Sequence, residues 1–310
     1  MKRPVLLADI GATTTRLAVA RDGVKLEDVR TLPSAGIKDL PALLAETLAA
    51  AEARPTVAVL AVAGPVEGDD VALTNLPLAF NCTALKSRLK LARLHVANDF
   101  VCLAHAVAVL TEPDLEAIGG GHGVPKANAI VCGPGSGFGA ALVLRDGKEP
   151  RVLPSEAGHM RFGAANADEA RVIARLVRDH GPVAIDDVMS GPGLARLHHI
   201  LAGEETTPEA VIAGATAREE KARATVDVFL RLFGRIAGDL ALAFDARGGV
   251  FLAGGVSRAL AHLMPGSPFR AAFEDHPPYQ KRLAAVPTSV VMHPTPGLVG
   301  AAVIARAAFT

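Results

Sequence analysis

The chain has no tryptophan, one tyrosine and no net charge, its 32 basic residues being matched by 32 acidic ones. Without an excess of either sign there is no electrostatic footprint for a nucleic acid or an anionic membrane. Cysteine is scarce. Cys82, Cys102 and Cys132 are widely spaced in apolar surroundings, which argues against metal-ligand spacing and suits reduced, buried thiols of a cytoplasmic protein. No apolar run approaches the roughly 20 residues of a membrane span. The opening MKRPVLLAD places two basic residues before an apolar run, as a signal peptide would, but Asp9 cuts that run short and a first strand is expected. The G-x-x-x-x-G-K-[ST] phosphate loop is also absent.

Small-residue turns are present instead, and one of them occurs twice. GPGSGFGAALVLRDG at 133–147 lies over DIGATTTRLAVARDG at 9–23, so that Gly11 meets Gly135, Val19 meets Val143, and Arg21-Asp22-Gly23 meets Arg145-Asp146-Gly147. An apolar run precedes and follows each copy, the pattern of strand, tight turn, strand, with Asp-Gly marking the next turn. Small residues let the backbone approach a ligand and aim N–H groups at it, so two such turns could grip one polyphosphate; the alternative is a pair of ordinary hairpins. Gly135-x-Gly137-x-x-Ala140 fits the dinucleotide fingerprint, but a Val/Leu strand follows where a helix should.

With 310 residues the chain has room for two cores. Strands are expected at 4–9, 15–20 and 24–31, a helix at 38–54, a buried strand at 56–64, a short strand within 71–80, a helix at 83–90 capped by Thr83, and a strand at 94–97 before an apolar helix. The polar stretch 111–127, with Gly119-Gly120-Gly121, reads as a linker. A second strand trio follows at 128–133, 138–145 and 149–154, then helices at 166–179, from about Pro192 with Ser190 as cap, at 207–214 and at 218–245. A buried strand within 248–257 that ends in Gly254-Gly255, a strand at 286–292 and a helix at 297–308 complete the pattern. This is α/β with a duplicated core and a ligand cleft between the halves.

Polar residues with chemical use cluster after these strands. Asp99 stands just past a buried strand, where open α/β sheets place ligands; Asn98 or Asp99 could equally cap the next helix. Glu156 and His159 flank Ala157-Gly158 and suit hydrogen bonding to neighbouring hydroxyls, or form a surface turn. Asp186-Asp187 offers a further acceptor, or a solvated charge pair.

DIGATTTRLA, VANDF, GPGSGFG, PSEAGHMRF, MSGPGLARLH, FLAGGV and FRAAFEDH, with Pro296-Gly297-Leu298 behind them, together resemble the bacterial glucokinases of the hexokinase–actin–Hsp70 superfamily, over nearly the whole chain and in the family's order. The resemblance implies two lobes of a duplicated ribonuclease H-like core, the actin-like ATPase arrangement. A smaller lobe would span 1–108 and take back the C-terminal helix 297–310, and a larger one would span 109–296. It implies phosphoryl transfer from ATP to the 6-hydroxyl of glucose at the entry to glycolysis, in a cytoplasmic homodimer. Asp99 would be the general base. Asn98, Asp99, Glu156, His159 and Asp186 would hold the sugar. Asp9 would orient Mg2+, through water. Gly11, Ala12, Thr13, Thr14, Gly135, Ser136 and Gly137 would line the phosphates, with Gly254 and Gly255 against the adenosine. Phosphoryl transfer suits this inventory, since it needs positioning, charge neutralisation and one base.

Three positions depart from the family pattern. Ala12 and Thr14 replace the second Gly and the Asn of Asp-x-Gly-Gly-Thr-Asn, and Ala12 requires a negative φ. Asp186 stands where the family has Glu, so its hydroxyl contact is expected to shift or to run through water. Kinases of another hexose, such as mannose or glucosamine, share the chemistry. The substitutions at 12 and 14 also raise a degenerate, sugar-sensing reading, although related repressors carry an N-terminal helix-turn-helix where a first strand is expected here. An Hsp70- or actin-like ATPase would explain the twin turns but not the sugar-suited set.

Overall fold

Strand periodicity organises a computed structural model that describes residues 4–21, 25–74, 76–145, 147, 150–161 and 163–309. The expected turns at Asp22-Gly23 and Asp146, the first residues of the strands expected from 24 and 149, and Phe162 of the PSEAGHMRF motif lie outside the described residues. Two compact units are present, Met1–Leu110 with His293–Thr310, and Thr111–Met292.

The first unit opens with a meander, β1 (Val5–Ile10), β2 (Thr14–Ala20) and β3 (Leu26–Pro33). Helix α1 (Leu40–Ala50) is shorter than the expected 38–54, because Asp39 caps it by accepting from the Ala42 N–H at 2.9 Å. After β4 (Val57–Val62), the stretch 71–80 forms no single strand. It makes part of a small hairpin, β5 (Asp70–Ala72) with β6 (Ala79–Asn81). Asn81, not Thr83, caps α2 (Cys82–Arg88), since its side chain accepts the Ala84 N–H. Strand β7 (Arg93–Asn98) leads directly into α3 (Asp99–Ala106). The sheet order is β3-β2-β1-β4-β7, antiparallel through β1, β2 and β3 and parallel across β1, β4 and β7.

The second unit begins with β8 (Leu115–Gly119), which pairs antiparallel with the last strand of its sheet. The expected linker at 111–127 is therefore part of a folded sheet. Its glycines are there because a Cβ on Gly119 would press on the Arg270 side chain at 3.0 Å, and one on Gly121 on the Ala285 carbonyl at 3.0 Å. Next come β9 (Ala129–Pro134), β10 (Phe138–Leu144) and β11 (Arg151–Ser155). The internal repeat holds residue for residue: Val5–Ile10 matches Ala129–Pro134, and Thr14–Ala20 matches Phe138–Leu144. Helices α4 (Ala167–His180), α5 (Ile185–Val188), α6 (Gly191–Ala202), α7 (Pro208–Thr216) and α8 (Glu220–Ala243) follow, with Ser190 capping α6.

Strand β12 (Gly249–Leu252) ends just ahead of the expected Gly254-Gly255, where Gly254 at φ +99° turns the chain into α9 (Gly255–Leu260). Helices α10 (Pro268–Glu274) and α11 (Gln280–Ala284) precede β13 (Thr288–Val291). The strand order β11-β10-β9-β12-β13 repeats that of the first unit, with β8 added at the edge. Finally α12 (Pro296–Phe309) packs on α3 and β1 of the first unit.

Alternation sorts the cores. In β1, Leu6, Ala8 and Ile10 join the cluster with Leu44 of α1 and Leu85 of α2, while Val5 and Leu7 join Cys102 of α3 and Leu298 of α12. Asp9 belongs to the second face by the same rule. In the second unit Phe229, Phe233, Phe269 and Phe273 are fully buried between α8 and α10, and the Phe233 and Phe269 rings meet edge to face at 5.3 Å. Each such side chain contributes roughly 1.5–3 kcal/mol of burial. Among the described residues no helix is long and apolar enough to cross a membrane.

Candidate active site

In the first unit the parallel strands finish at one edge. Ile10 lies in register with Val62, and Val62 with Asn98, so the turn after β1, the Gly64 turn after β4 and the start of α3 share the carboxyl ends of the sheet. Asp9, one residue before the end of β1, pairs across β2 with Arg16, whose guanidinium stands 3.8 Å from Oδ2. Burial, opposed by Arg16, pushes the Asp9 carboxyl up to about 6. Over it sits the start of α12: a Cβ on Gly297 would lie 2.5 Å from Oδ2, so a larger residue there would have to displace the carboxylate.

The first small-residue turn is tied from beneath. Gly11 N–H donates to Thr14 O at 3.1 Å and Ser34 N–H to Thr13 O at 2.9 Å. The buried Ser34 hydroxyl donates to Gly11 O at 2.6 Å, which leaves Thr15 as donor in the 2.9 Å bond between the two hydroxyls. Ala12 is absent from the positive-φ residues, so its methyl is accommodated without strain. The Ala12 and Thr13 N–H groups stand at the tip with no acceptor among the described residues. Ser34 is a site residue that no sequence signal marks.

Of the two candidate caps of α3, Asn98 takes the role. Its Oδ1 accepts the N–H groups of Phe100 and Val101, at 2.9 and 3.3 Å, and its Nδ2 donates to Gly64 O at 3.1 Å. Asp99 is half-buried at the first helical position, and its Oδ1 accepts the Phe100 N–H at 2.9 Å. The thiol of Cys102, one helical turn on, is pushed well up by burial, and then by the nearby Asp9 and Asp99 carboxylates. Asp9 is in register with Ala61 and Ala61 with Ala97, so Asp99 starts α3 two strands over and two residues beyond the level of Asp9. A groove of about 350 Å³ between β3 and α1, lined by Leu32, Ile37 and Leu43 among others, contains none of these residues.

In the second unit the equivalent edge gathers the other candidates. The turn after β9 has Gly135 N–H donating to Gly137 O at 2.7 Å. Gly254, after β12, lies against it, with Pro134 in the space a Cβ would need. Nothing lies within 4 Å of a Cβ placed on Gly255, so that backbone is open to a ligand. Asp186 Oδ1 accepts the N–H of Phe138, while Asp187 accepts that of Ala184 at 2.8 Å, so the pair is engaged rather than merely solvated. Glu156 and His159 flank a 3₁₀ turn, Ala157–His159, with His159 Nε2 3.8 Å from Glu156 Oε2 and both side chains about two-thirds exposed. That turn packs on β10 and α5, which brings Glu156, His159, Asp186 and the glycine turn into one region.

Cys102 and Cys132 are buried, and burial pushes the Cys132 thiol up to about 12; Cys82, expected to be buried as well, is half-exposed at the start of α2. Among the described residues no group of three or more His, Cys, Asp or Glu could hold a metal ion.

Comparison with known proteins places this arrangement. The glucokinase family model matches residues 6–308. The glucokinase of Mesorhizobium japonicum is 34% identical over 99% of this chain and 92% of its own. That of Nitrobacter hamburgensis is 36% identical over 96% of this chain and 95% of its own. Among solved structures, a glucokinase from an Antarctic psychrotroph matches with a TM-score of 0.84 at 32% identity, covering 99% of this chain and 100% of that one. The glucokinase of Balamuthia mandrillaris, solved with glucose, reaches a TM-score of 0.83 at 23% identity over 98% and 94% of the two chains, a likeness of fold.

Proposed function

The chain belongs to the glucokinase family, and from that membership we propose how its residues transfer the γ-phosphoryl group of ATP to the 6-hydroxyl of glucose. Asp99 takes the proton of that hydroxyl as its oxygen bonds to the γ-phosphorus and the bond to the β-phosphate oxygen breaks, giving glucose 6-phosphate and ADP. The observation that carries this reading is the place of Asp99. It lies past the carboxyl end of a parallel strand, at the same edge of the sheet as Asp9 and the first turn, while the adjacent Asn98 does the capping.

The other roles follow from chemistry. The tip amides at Ala12, Thr13, Ser136 and Gly137 offer donors without bulk to the phosphates, and Gly254-Gly255 offers open backbone to the nucleoside. Glu156 and His159, exposed on their turn, pair with sugar hydroxyls, as does the remaining N–H of Asn98; a buried hydroxyl without a partner would cost roughly 1–3 kcal/mol. A single carboxylate suits a cation that keeps its waters and takes its other ligands from phosphate, so Asp9 would hold Mg2+. Bound there, the ion supplies neutralisation of phosphate charge. Arg16 stands beside the Asp9 carboxylate as its cationic neighbour.

The same reading includes two units of actin-like, ribonuclease H-like type, supported by the repeated strand order. It also includes a cytoplasmic homodimer, to be measured by light scattering. A hexose panel with coupled ADP detection tests the function. Glucose should give the highest kcat/KM, and equal rates on several hexoses would move the assignment to a broader kinase. No sugar phosphate from any of them would leave a sugar-binding protein.

A further inference from the structure

Asp186 is joined to the glycine turn in a way that a sugar ligand has no need of. Its Oδ1 accepts the Phe138 N–H, and a Cβ on Gly137 would stand 2.5 Å from the same oxygen, so the turn has a glycine where the carboxylate enters. The main chain of the same segment holds the turn from its other side. The Asp186 carbonyl accepts the Ser190 hydroxyl at 2.7 Å, that hydroxyl caps α6 by accepting from Gly193 N–H at 3.1 Å, and Gly191 N–H donates to Gly135 O at 2.8 Å. At its start α5 is fastened to the segment carrying Glu156 and His159, since Ile185 N–H donates to Met160 O at 3.0 Å and Arg161 bridges to Ala184.

Of the four N–H groups in 135–138, two are thereby spent inside the protein, Gly135 on Gly137 O and Phe138 on Asp186. Those of Ser136 and Gly137 remain at the tip with no acceptor among the described residues. A carboxylate so close to the turn would repel a phosphate if it faced one directly; bonded to Phe138 N–H, it instead shapes the backbone that meets the phosphate.

We propose that Asp186 is a positioning residue for the phosphate-facing turn, not a ligand of the sugar. It selects which two amides of the turn face the nucleotide, and α5 ties that choice to the Glu156–His159 segment. Glutamate, one carbon–carbon bond longer, would carry its carboxylate past the position from which Asp186 Oδ1 accepts the Phe138 N–H. The inference rests on the turn's reading as the nucleotide site.

Titration calorimetry with ADP and, separately, with glucose tests it on the full chain and on Asp186→Ala, Asp186→Asn and Asp186→Glu. Losing a hydrogen bond to a charged acceptor should weaken ADP binding about tenfold in Asp186→Ala, with glucose affinity held within about twofold. Asp186→Asn keeps an oxygen acceptor for Phe138 N–H and should stay within about threefold of the parent for ADP, while Asp186→Glu should fall with the alanine variant. Loss of glucose affinity with ADP unchanged would overturn the proposal, as would asparagine behaving like alanine. If thermal melts show that Asp186→Ala does not fold, the asparagine and glutamate variants decide. A parent protein that binds ADP but makes no sugar phosphate would defeat the proposed reaction and leave this test readable. A parent that binds no ADP would defeat both.

Discussion

Replacing Asp9 by asparagine should stabilise the metal-free protein at neutral pH while removing its activity. Burial raises the Asp9 carboxyl from 3.8 to about 6, with Arg16 at 3.8 Å as the smaller, opposing influence. A carboxyl whose folded pKa lies above its unfolded value holds its proton more tightly in the native state. Stability is therefore highest below the unfolded pKa and is lost as pH rises from about 4 through about 6. A shift of about 2 units at 1.36 kcal/mol each sets an upper bound of about 3 kcal/mol for the ionised group. The Asp9 side chain keeps 15% of its surface exposed and gives Arg16 a partner, so about 1–2 kcal/mol is the expected gain of Asp9→Asn above pH 7. Urea unfolding in EDTA measures it. The gap between variant and parent should be small near pH 4.5 and widen to a plateau near pH 8. A gap independent of pH, or a variant less stable at pH 8, would refute the reasoning. Such a charge, retained against its cost, is what a site for a cation requires.

Three further substitutions probe the same edge. Asp99→Asn should lower kcat by about 10²–10⁴ with glucose binding by calorimetry nearly unchanged; a near-parental rate would show that the base is elsewhere. Gly297→Ala puts a methyl 2.5 Å from Asp9 Oδ2. It should cost about 1–3 kcal/mol in urea unfolding and lower the rate at fixed magnesium more than it weakens glucose; unchanged kinetics would separate α12 from the acid. Ser34→Ala removes the donor to Gly11 O and the acceptor of Thr15. It should cost about 1–3 kcal/mol and raise the KM for ATP over that for glucose, whereas an equal rise in both would mean a general loss of structure.

The fold was most legible where pattern is local. The repeated strand–turn–strand could be read because its apolar runs and small residues lie within a few positions of one another, and its two copies coincide strand for strand. Ser190 announces α6 for the same reason, as an N-cap followed by proline at the second helical position. Reading failed where a distant partner decides. The stretch 111–127 is polar and glycine-rich, yet β13 recruits its middle as an edge strand and close backbone contacts demand its glycines. Helices α9, α10 and α11 are too short for a 3.6-residue period to declare itself. The apolar run at 248–257 belongs to a strand and a helix in succession; the glycine pair marked the end of the strand but not the helix that starts there.

The candidate site divides along the same line. Asn98-Asp99 carried two residues able to cap and one helix to be capped; the bonds of Asn98 to Phe100, Val101 and Gly64 assign it that work and leave the neighbouring acid at the head of α3. Alternation along β1 already put Asp9 on the face opposite Leu6 and Ala8. That its neighbour there is Gly297, from the far end of the chain, follows only once α12 returns to that face. Asp186 is the sharper case. Against its family it is a glutamate shortened by one methylene, which by residue type alone means a weaker grip on a hydroxyl. Folded, its oxygen accepts the Phe138 amide beside Gly137. Residue type sets what a side chain can do, and the partner that tertiary structure supplies determines which of those things it does; at position 186 that partner is the turn.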